Sequence, residues 1–191
     1  MTPMISTKRN QRWILDCTVW NFIDPFCGEK RSEIILSGID HSTRYMFGKI
    51  IPEQNAQNVR EFLLEVIAYL GIPKILQTDN GPEFLNKVLS NWCSQLKIKF
   101  VQGRAYNPRS QGAIERTHPA TKKQLEVMLT SDLPEWVQLR KLCKSENRER
   151  IQVSLLLRPA FAHINTHHRR TINDLPYNLQ FSIWVVVCII G

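Results

Sequence analysis

The first fifty residues alternate between apolar strand patterns and polar breaks. Residues 12–20, 32–39 and 44–51 are rich in β-branched and aromatic side chains, which favour β-strands. Polar segments at 24–30 and 40–43 contain the Asp, Gly, Pro and Ser residues typical of turns. Three short strands joined by turns predict an antiparallel meander.

The hydrophobic period then changes to that of a helix. Asn55 or Asn58 can cap the start of this helix, and Gly71 followed by Pro73 ends it. Residues 74–78 predict a further strand, which should run parallel to an earlier one because a helix connects them. Six apolar residues share one face of the helix: Val59, Phe62, Leu63, Val66, Ile67 and Leu70.

A second helix and a fifth strand follow. Pro82 fits the first turn of that helix, and residues 98–101 read as the strand. The residues expected on the buried face of the helix are Phe84, Val88, Leu89, Trp92, Cys93 and Leu96.

The rest of the chain predicts a loop and two more helices. Residues 103–109 contain Gly, Asn-Pro and charged side chains, which favour a loop. A helix beginning near Ser110 carries Glu115. The last helix is expected to start near Pro134 and to extend to about Ile164, with its apolar pattern interrupted by a polar run at 144–150.

Composition makes the chain one domain with a basic surface. Its 191 residues include 43% apolar side chains and carry a net charge of +8. A basic field around a single acid, Glu115, suits a polyphosphate partner, although charge alone favours an ordinary solvated surface. The basic residues around this acid are Lys97, Lys99, Arg104, Arg109, Arg116, Lys122 and Lys123.

Domain limits follow from the two ends of the pattern. We expect a polar tail at 1–10, a core domain at 11–180 and an apolar tail at 181–191 that is too short to span a bilayer, which needs about 20 residues. Five widely spaced cysteines without a Cys-x-x-Cys pair disfavour a disulfide framework or a zinc ribbon. These features predict an intracellular protein with no membrane partner.

Three acids are candidates for chemistry. Asp79 follows a predicted strand directly and precedes an Asn-Gly turn, and Glu115 lies on a predicted helix. Asp16 lies inside an apolar strand, where a buried carboxylate is costly unless it is paired or binds a metal. A solvent-facing position is the alternative for Asp16, and Asp40, a turn residue, is then the replacement. Acids on strand ends and helices are what a two-metal phosphoryl-transfer site requires.

Several motifs occur together and in order: Trp13-x-x-Asp16, Ile39-Asp-His-Ser-Thr-Arg-Tyr45, Gln77-Thr-Asp-Asn-Gly-x-Glu-Phe84, Tyr106-Asn-Pro-x-Ser-Gln-Gly-x-x-Glu115, Ile164-Asn-Thr-His-His168 and Pro176-Tyr177. The second and third acids have 35 residues between them. In these motifs the chain resembles the catalytic core of retroviral and retrotransposon integrases and of host genes derived from such elements.

The resemblance implies a fold, a reaction and a metal site. The fold is RNase H-like, an α/β domain with a five-stranded mixed sheet, three antiparallel strands then two parallel, flanked by helices. Asp16, Asp79 and Glu115 would be the catalytic ligands of two Mg²⁺ or Mn²⁺ ions. The reaction would be DNA 3′-end cleavage and strand transfer, and a homo-oligomer acting on element ends and target DNA in the nucleus is expected.

The same resemblance assigns neighbouring residues to DNA binding. Lys122 is seven residues after Glu115, so on a continuous helix it shares a face with that acid. For Lys122 and Lys123 a solvated helix face is an equal alternative. The residues expected to contact DNA are Tyr106, Asn107, Arg109, Gln111, Lys122 and Lys123.

Pro119 weighs against activity. It lies four residues after Glu115, so a continuous helix would place its ring against the Glu115 carbonyl at a cost of about 3 kcal/mol unless the helix kinks. One hypothesis is therefore an active enzyme, and another is an inactive integrase-derived module that binds nucleic acid or protein. A plain RNase H-type nuclease is a third hypothesis, which residues 106–115 disfavour.

Overall fold

A computed structural model of the chain describes residues 8–103, 112–144 and 151–166. The elements are β1 (Arg12–Ile23), β2 (Lys30–Asp40), β3 (Met46–Ile51), α1 (Ala56–Leu70), β4 (Ile75–Thr78), α2 (Lys87–Gln95), β5 (Lys99–Gln102), α3 (Gly112–Glu115), α4 (His118–Thr130), α5 (Pro134–Leu142) and α6 (Val153–Thr166).

The sheet has the mixed topology that the sequence predicts. Its order is β3-β2-β1-β4-β5, with β1, β2 and β3 antiparallel to one another. Strand β4 runs parallel to β1, and β5 runs parallel to β4. A strand that follows a helix crossover returns in the same direction, so the parallel half begins where α1 ends.

Side chains that alternate along β1 separate two hydrophobic layers. Trp13 and Leu15 pack with α1 and α2, whereas Ile14 packs with the helices that follow β5. Successive strand residues point to opposite faces, so both faces of the sheet are covered. Asp16, at the next even position, is on the same face as Ile14.

Helices α1 and α2 each begin after a capping asparagine. The Asn55 side chain accepts a hydrogen bond from the backbone N–H of Asn58, which confirms the first of the two predicted caps of α1. Helix α2 begins at Lys87, not near Pro82 as predicted, because the Asn86 side chain caps it instead. Val88 is consequently 54% exposed, and its predicted burial is wrong.

The last predicted helix is two helices. Helix α5 ends at Leu142 and α6 begins at Val153, and between them Lys144 and Ile151 form an isolated antiparallel bridge. The buried Asp24 carboxylate accepts a hydrogen bond from the Ile151 backbone at 3.1 Å, which joins this segment to the end of β1. The interrupted apolar pattern thus marks a true break.

Helix α6 is hydrogen-bonded to the edge strand β3 through Asn165. The buried Asn165 side chain accepts from the Met46 backbone N–H and donates to the Met46 carbonyl, each at 2.8 Å. Across the described residues, no helix combines the length and apolar character that crossing a membrane requires. The predicted tail at 181–191 lies outside the described part of the chain.

Candidate active site

Strand pairing brings two of the predicted acids together. Asp79 follows the last residue of β4, and β1 pairs with β4 in a parallel register that places Ile14 beside Gln77. Extending that register by two residues places Asp79 beside Asp16. The Asp79 Oδ1 atom accepts a hydrogen bond from the Gly81 backbone at 3.0 Å, which fixes the turn after the strand.

Asp16 is largely buried, and three other acids lie close enough to influence its pKa. Its side chain is 15% exposed. Burial, followed by the charges of Asp79, Glu115 and Glu83, raises the pKa of Asp16 to about 7, although a hydrogen bond from the Cys17 backbone lowers it. A carboxyl held among like charges is strongly stabilised by a cation, so this group is suited to bind one.

Glu115 ends helix α3, and the predicted continuous helix is broken directly after it. Arg116 and Thr117 form a turn, and α4 starts at His118. The Thr117 backbone N–H and hydroxyl both donate to the Ile114 carbonyl, at 2.8 and 2.6 Å. This turn allows the chain to change direction between Glu115 and Pro119.

Because the helix is broken after Glu115, the expected clash between Pro119 and the Glu115 carbonyl does not arise. This residue lies in the first turn of α4, where a proline is favourable because the N–H that it lacks has no helical partner in any case. The predicted clash with Glu115 is therefore relieved by the turn.

Within residues 8–103, 112–144 and 151–166, no three His, Cys, Asp or Glu side chains form a group that could hold a metal ion. The Glu115 side chain is exposed, whereas Asp16 is largely buried. The three acids thus interact through their charges without forming a closed cluster.

Their chemistry still fits a hard divalent cation. All three candidates offer carboxylate oxygens, which Mg²⁺ and Mn²⁺ prefer. The charges of Asp79, Glu115 and Glu83 add to the effect of burial on the pKa of Asp16, so negative charge is concentrated around this carboxyl. A buried carboxylate oxygen of Glu83, close enough to influence Asp16, has no hydrogen-bond partner within the described residues.

His118 contacts Asp16 and was missed by sequence reasoning. Its Nε2 atom lies 3.8 Å from Asp16 Oδ2 and 3.3 Å from the Ser37 hydroxyl. Burial lowers the pKa of His118, and the charge of Lys122 lowers it further. A neutral imidazole therefore lies against Asp16, and its position three residues after Glu115 was the available signal.

Glu83 is a fourth acid. It belongs to the motif that runs from Gln77 to Phe84, and no role was predicted for it. Its side chain is 5% exposed, and it hydrogen-bonds the Cys17 thiol, whose pKa is raised by burial and then by Glu83. A Cβ added to Gly81 would lie 2.7 Å from Glu83 Oε2, so glycine there leaves room for the carboxylate.

The remaining predicted residues are two lysines on α4, the turn residue Asp40 and four loop residues. Lys122 is half-buried on α4, and its charge acts on His118. It does not share one continuous helix with Glu115, because α4 starts at His118. Lys123 is exposed. Asp40 is the predicted turn residue, and its carboxylate accepts from the Ser42 and Thr43 backbones. Four predicted DNA contacts lie outside the described residues: Tyr106, Asn107, Arg109 and Gln111.

Comparison with known proteins gives one family. Residues 6–108 match the model of the integrase core domain, a span that includes Asp16 and Asp79 and ends before Glu115. The Gag-Pro-Pol polyprotein of Simian retrovirus SRV-1 is 30% identical over 118 residues, which is 61% of this chain and 7% of the polyprotein. The chain thus spans a small part of such relatives.

Solved structures share the fold. One is the intasome of simian T-cell lymphotropic virus in complex with the PP2A regulatory subunit B56 gamma, with a TM-score of 0.69 and 22% identity over 93% of this chain and 56% of that one. Another is the HTLV-2 integrase catalytic core in complex with magnesium, in a trimeric form, with a TM-score of 0.66 and 18% identity over 91% of this chain and 98% of that one.

The family match covers 103 of the 191 residues, more than half of the chain. The strand order, the parallel pairing of β1 with β4 and the related retroviral polyproteins agree with it. This chain belongs to the integrase core domain family, the catalytic-core fold of retroviral and retrotransposon integrases.

Proposed function

We propose that this chain is a metal-dependent polynucleotidyl transferase that cleaves DNA 3′ ends and joins them to target DNA. The observation that supports this most is the placement of Asp16 on β1 and of Asp79 directly after β4, a strand that pairs with β1 in parallel. The charges of Asp79 and Glu115 raise the pKa of Asp16, so the three acids share one electrostatic site. Family membership supports the same reaction class.

In the proposed reaction a water oxygen bonds to the scissile phosphorus as the bond to the leaving oxygen breaks, and the leaving oxygen gains a proton. In strand transfer the freed 3′-hydroxyl takes the place of water. Two divalent ions, when bound, would activate the attacking oxygen and stabilise the leaving one. Asp16, Asp79 and Glu115 would hold them.

The surrounding side chains have supporting roles. His118 lies between Asp16 and the Ser37 hydroxyl and limits the orientations that the Asp16 carboxylate can adopt. Lys122, close enough to influence His118, supplies a positive charge near the acids and suits a DNA phosphate. Lys123 and the loop residues Tyr106, Asn107, Arg109 and Gln111 are proposed to contact the DNA end.

A non-catalytic role is the second candidate. The exposed Glu115 and the lack, among the described side chains, of a closed three-ligand group favour a module that binds nucleic acid or protein without cutting. A cleavage assay separates the two candidates.

The assay uses a labelled DNA end with Mn²⁺. We expect the original chain to release the terminal nucleotides and Asp79→Asn to release none above background. Asp132→Asn is the matched control, because Asp132 is an exposed acid after α4, away from the three acids. Equal product from the original chain and Asp79→Asn would exclude catalysis at this site.

Partners and location are proposed on the same basis. Since an integration reaction uses element ends and target DNA, we propose both as substrates and the nucleus as the place of action. The intasome and the trimeric HTLV-2 core among the structural relatives support a homo-oligomer. The proposed domain limits remain 11–180, with tails at 1–10 and 181–191.

A further inference from the structure

Four basic side chains gather where β1 begins and β2 ends, and we call them the basic cluster: Arg12, His41, Arg44 and Arg116. The His41 backbone donates to the Arg12 carbonyl at 2.9 Å, which places the turn after β2 beside the start of β1. The Arg12 guanidinium donates to the Gln77 side chain at 2.7 Å.

The charges of these groups act on one another. Burial lowers the pKa of Arg44, and the charge of Arg116 lowers it further. Burial likewise lowers the pKa of His41, followed by the charges of Arg44 and Arg12. Asp40 is the one acid that opposes either effect. Positive charge therefore exceeds negative charge in the basic cluster.

Asp40 is already used by the backbone. Its Oδ1 atom accepts from the Ser42 and Thr43 N–H groups, at 2.9 and 3.0 Å, and its Oδ2 atom accepts from the Asn10 N–H at 2.6 Å. A carboxylate that closes a turn in this way is less available to neutralise guanidinium groups. The basic cluster thus has room for an external anion.

Arg44 adopts a backbone conformation that costs energy. Its φ is +62°, in the left-handed region where glycine is favoured by about 1 kcal/mol. The turn itself therefore does not require an arginine. Its side chain is half-buried among other cations, which adds to the cost. An anion would relieve this electrostatic cost.

A polar atom in the same place lacks a partner. The Nδ1 atom of His41 is buried and has no hydrogen-bond partner among the residues that the structure describes. A phosphate oxygen beside the guanidinium groups is the kind of group that could bond to it.

The basic cluster lies next to the candidate active site. Arg12 and Asp16 are four residues apart on the same face of β1, which is about 13 Å along a strand. Arg116 directly follows Glu115. DNA carries one phosphate per roughly 3.4 Å of axis on each strand, so a strand reaching the acids extends to the cluster within a few nucleotides.

We propose that the basic cluster binds a backbone phosphate of the DNA strand that is cut at Asp16, Asp79 and Glu115. The identity of the strand rests on the proposed function, whereas the phosphate site rests on the cluster itself. A shared phosphate chemistry also allows free inorganic phosphate to bind.

The test compares Arg44→Gly with Lys30→Gln in the full chain. Both remove one positive charge, and exposed Lys30 lies at the opposite end of β2. Binding of a labelled DNA duplex is measured in EDTA at several salt concentrations. We expect Arg44→Gly to weaken binding about tenfold and to lower the salt slope by about 0.9, the contribution of one phosphate contact. Its melting temperature should equal or exceed that of the original chain.

An unchanged salt slope in Arg44→Gly, or an equal loss in Lys30→Gln, would overturn the proposal. Thermal unfolding with inorganic phosphate separates the sources: stabilisation that Arg44→Gly abolishes indicates that a free anion suffices, and stabilisation by DNA alone indicates that the extended backbone is needed. Because EDTA removes catalysis, an original chain that binds through Arg44 but never cuts with Mn²⁺ would contradict the proposed function and leave this site intact.

Discussion

Glu115 ends one helix and Pro119 lies in the first turn of the next. The turn at Arg116 and Thr117 separates them, so the proline does not press against the carbonyl of the proposed metal ligand. The orientation of Glu115 therefore depends on the turn and on the Thr117 bonds to Ile114.

Replacing Pro119 should change little. We expect Pro119→Ala to alter the free energy of unfolding by less than about 0.5 kcal/mol, because proline and alanine are both tolerated in a first helical turn. Pro159 is the matched comparison, since it lies inside α6. Pro159→Ala should stabilise the chain by about 1 kcal/mol or more by restoring a helical N–H. Chemical denaturation measures both, and a large gain from Pro119→Ala alone would contradict the broken helix.

Asp16 should make the metal-free chain less stable as pH rises. Its pKa is about 7 in the folded chain, against an ordinary value of 3.8 for an aspartate. Between these values the folded chain holds a proton that the unfolded chain has released, so the free energy of unfolding falls with rising pH and the loss is complete above pH 7. Asp16→Asn should remove this loss, and its advantage at pH 8 should be on the order of 2 kcal/mol.

Thermal unfolding in EDTA at pH 4 and pH 8 checks this difference. At pH 4 the variant should have no advantage, because the original carboxyl is protonated there. Mg²⁺ at pH 8 should stabilise the original chain more than Asp16→Asn. An advantage of equal size at both pH values would show that Asp16 does not titrate as described.

Glu83 should control the reactivity of Cys17. The pKa of the Cys17 thiol is raised by burial and by Glu83, so Glu83→Gln should increase the thiolate fraction and speed alkylation several-fold. Gly81→Ala should act in the same direction by pushing the Glu83 carboxylate away. Iodoacetamide labelling in a Cys27→Ser background, which removes the exposed thiol, measures the rate. Cys93 provides the internal control, and equal acceleration at both thiols would indicate general loosening instead.

Asn165 should be needed to hold the edge strand. Asn165→Ala removes two buried hydrogen bonds to the Met46 backbone, at a cost of about 1–3 kcal/mol. Thr166→Ala is the control, since the exposed Thr166 bonds only to the nearby His163 carbonyl. Urea denaturation of the two variants should differ clearly, and equal midpoints would contradict this account of α6.

Much of the fold follows from local pattern. The apolar patterns of β1, β2 and β3 predict the antiparallel strands, and the helical period before β4 predicts that β4 runs parallel to an earlier strand. The pattern does not predict which strand β4 pairs with. The start of α2 is harder to predict. Pro82 and Asn86 both suit a helix start, α2 begins after Asn86, and Phe84 packs into the core between them. The sequence pattern alone contains no measure of that packing.

Contacts between distant segments were not predictable in the same way. The turn at Thr117 is by contrast a local effect, because Pro119 cannot continue the helix that ends at Glu115. The Glu83 side chain lies against Gly81 and the Cys17 thiol, and the His118 contact depends on where α4 begins. Such features arise from tertiary structure, which single-sequence periodicity does not encode.

The most direct test of the account is the rate of DNA end cleavage with Mn²⁺ for Glu115→Gln against Glu126→Gln. Of the three proposed metal ligands, Glu115 is the most exposed. Glu126 is an exposed acid on α4 that is assigned no role. We predict a loss of about 100-fold or more for Glu115→Gln, since removing a ligand of catalytic metal costs several kcal/mol, and no loss for Glu126→Gln. Equal rates for Glu115→Gln and the original chain would contradict the three-acid site.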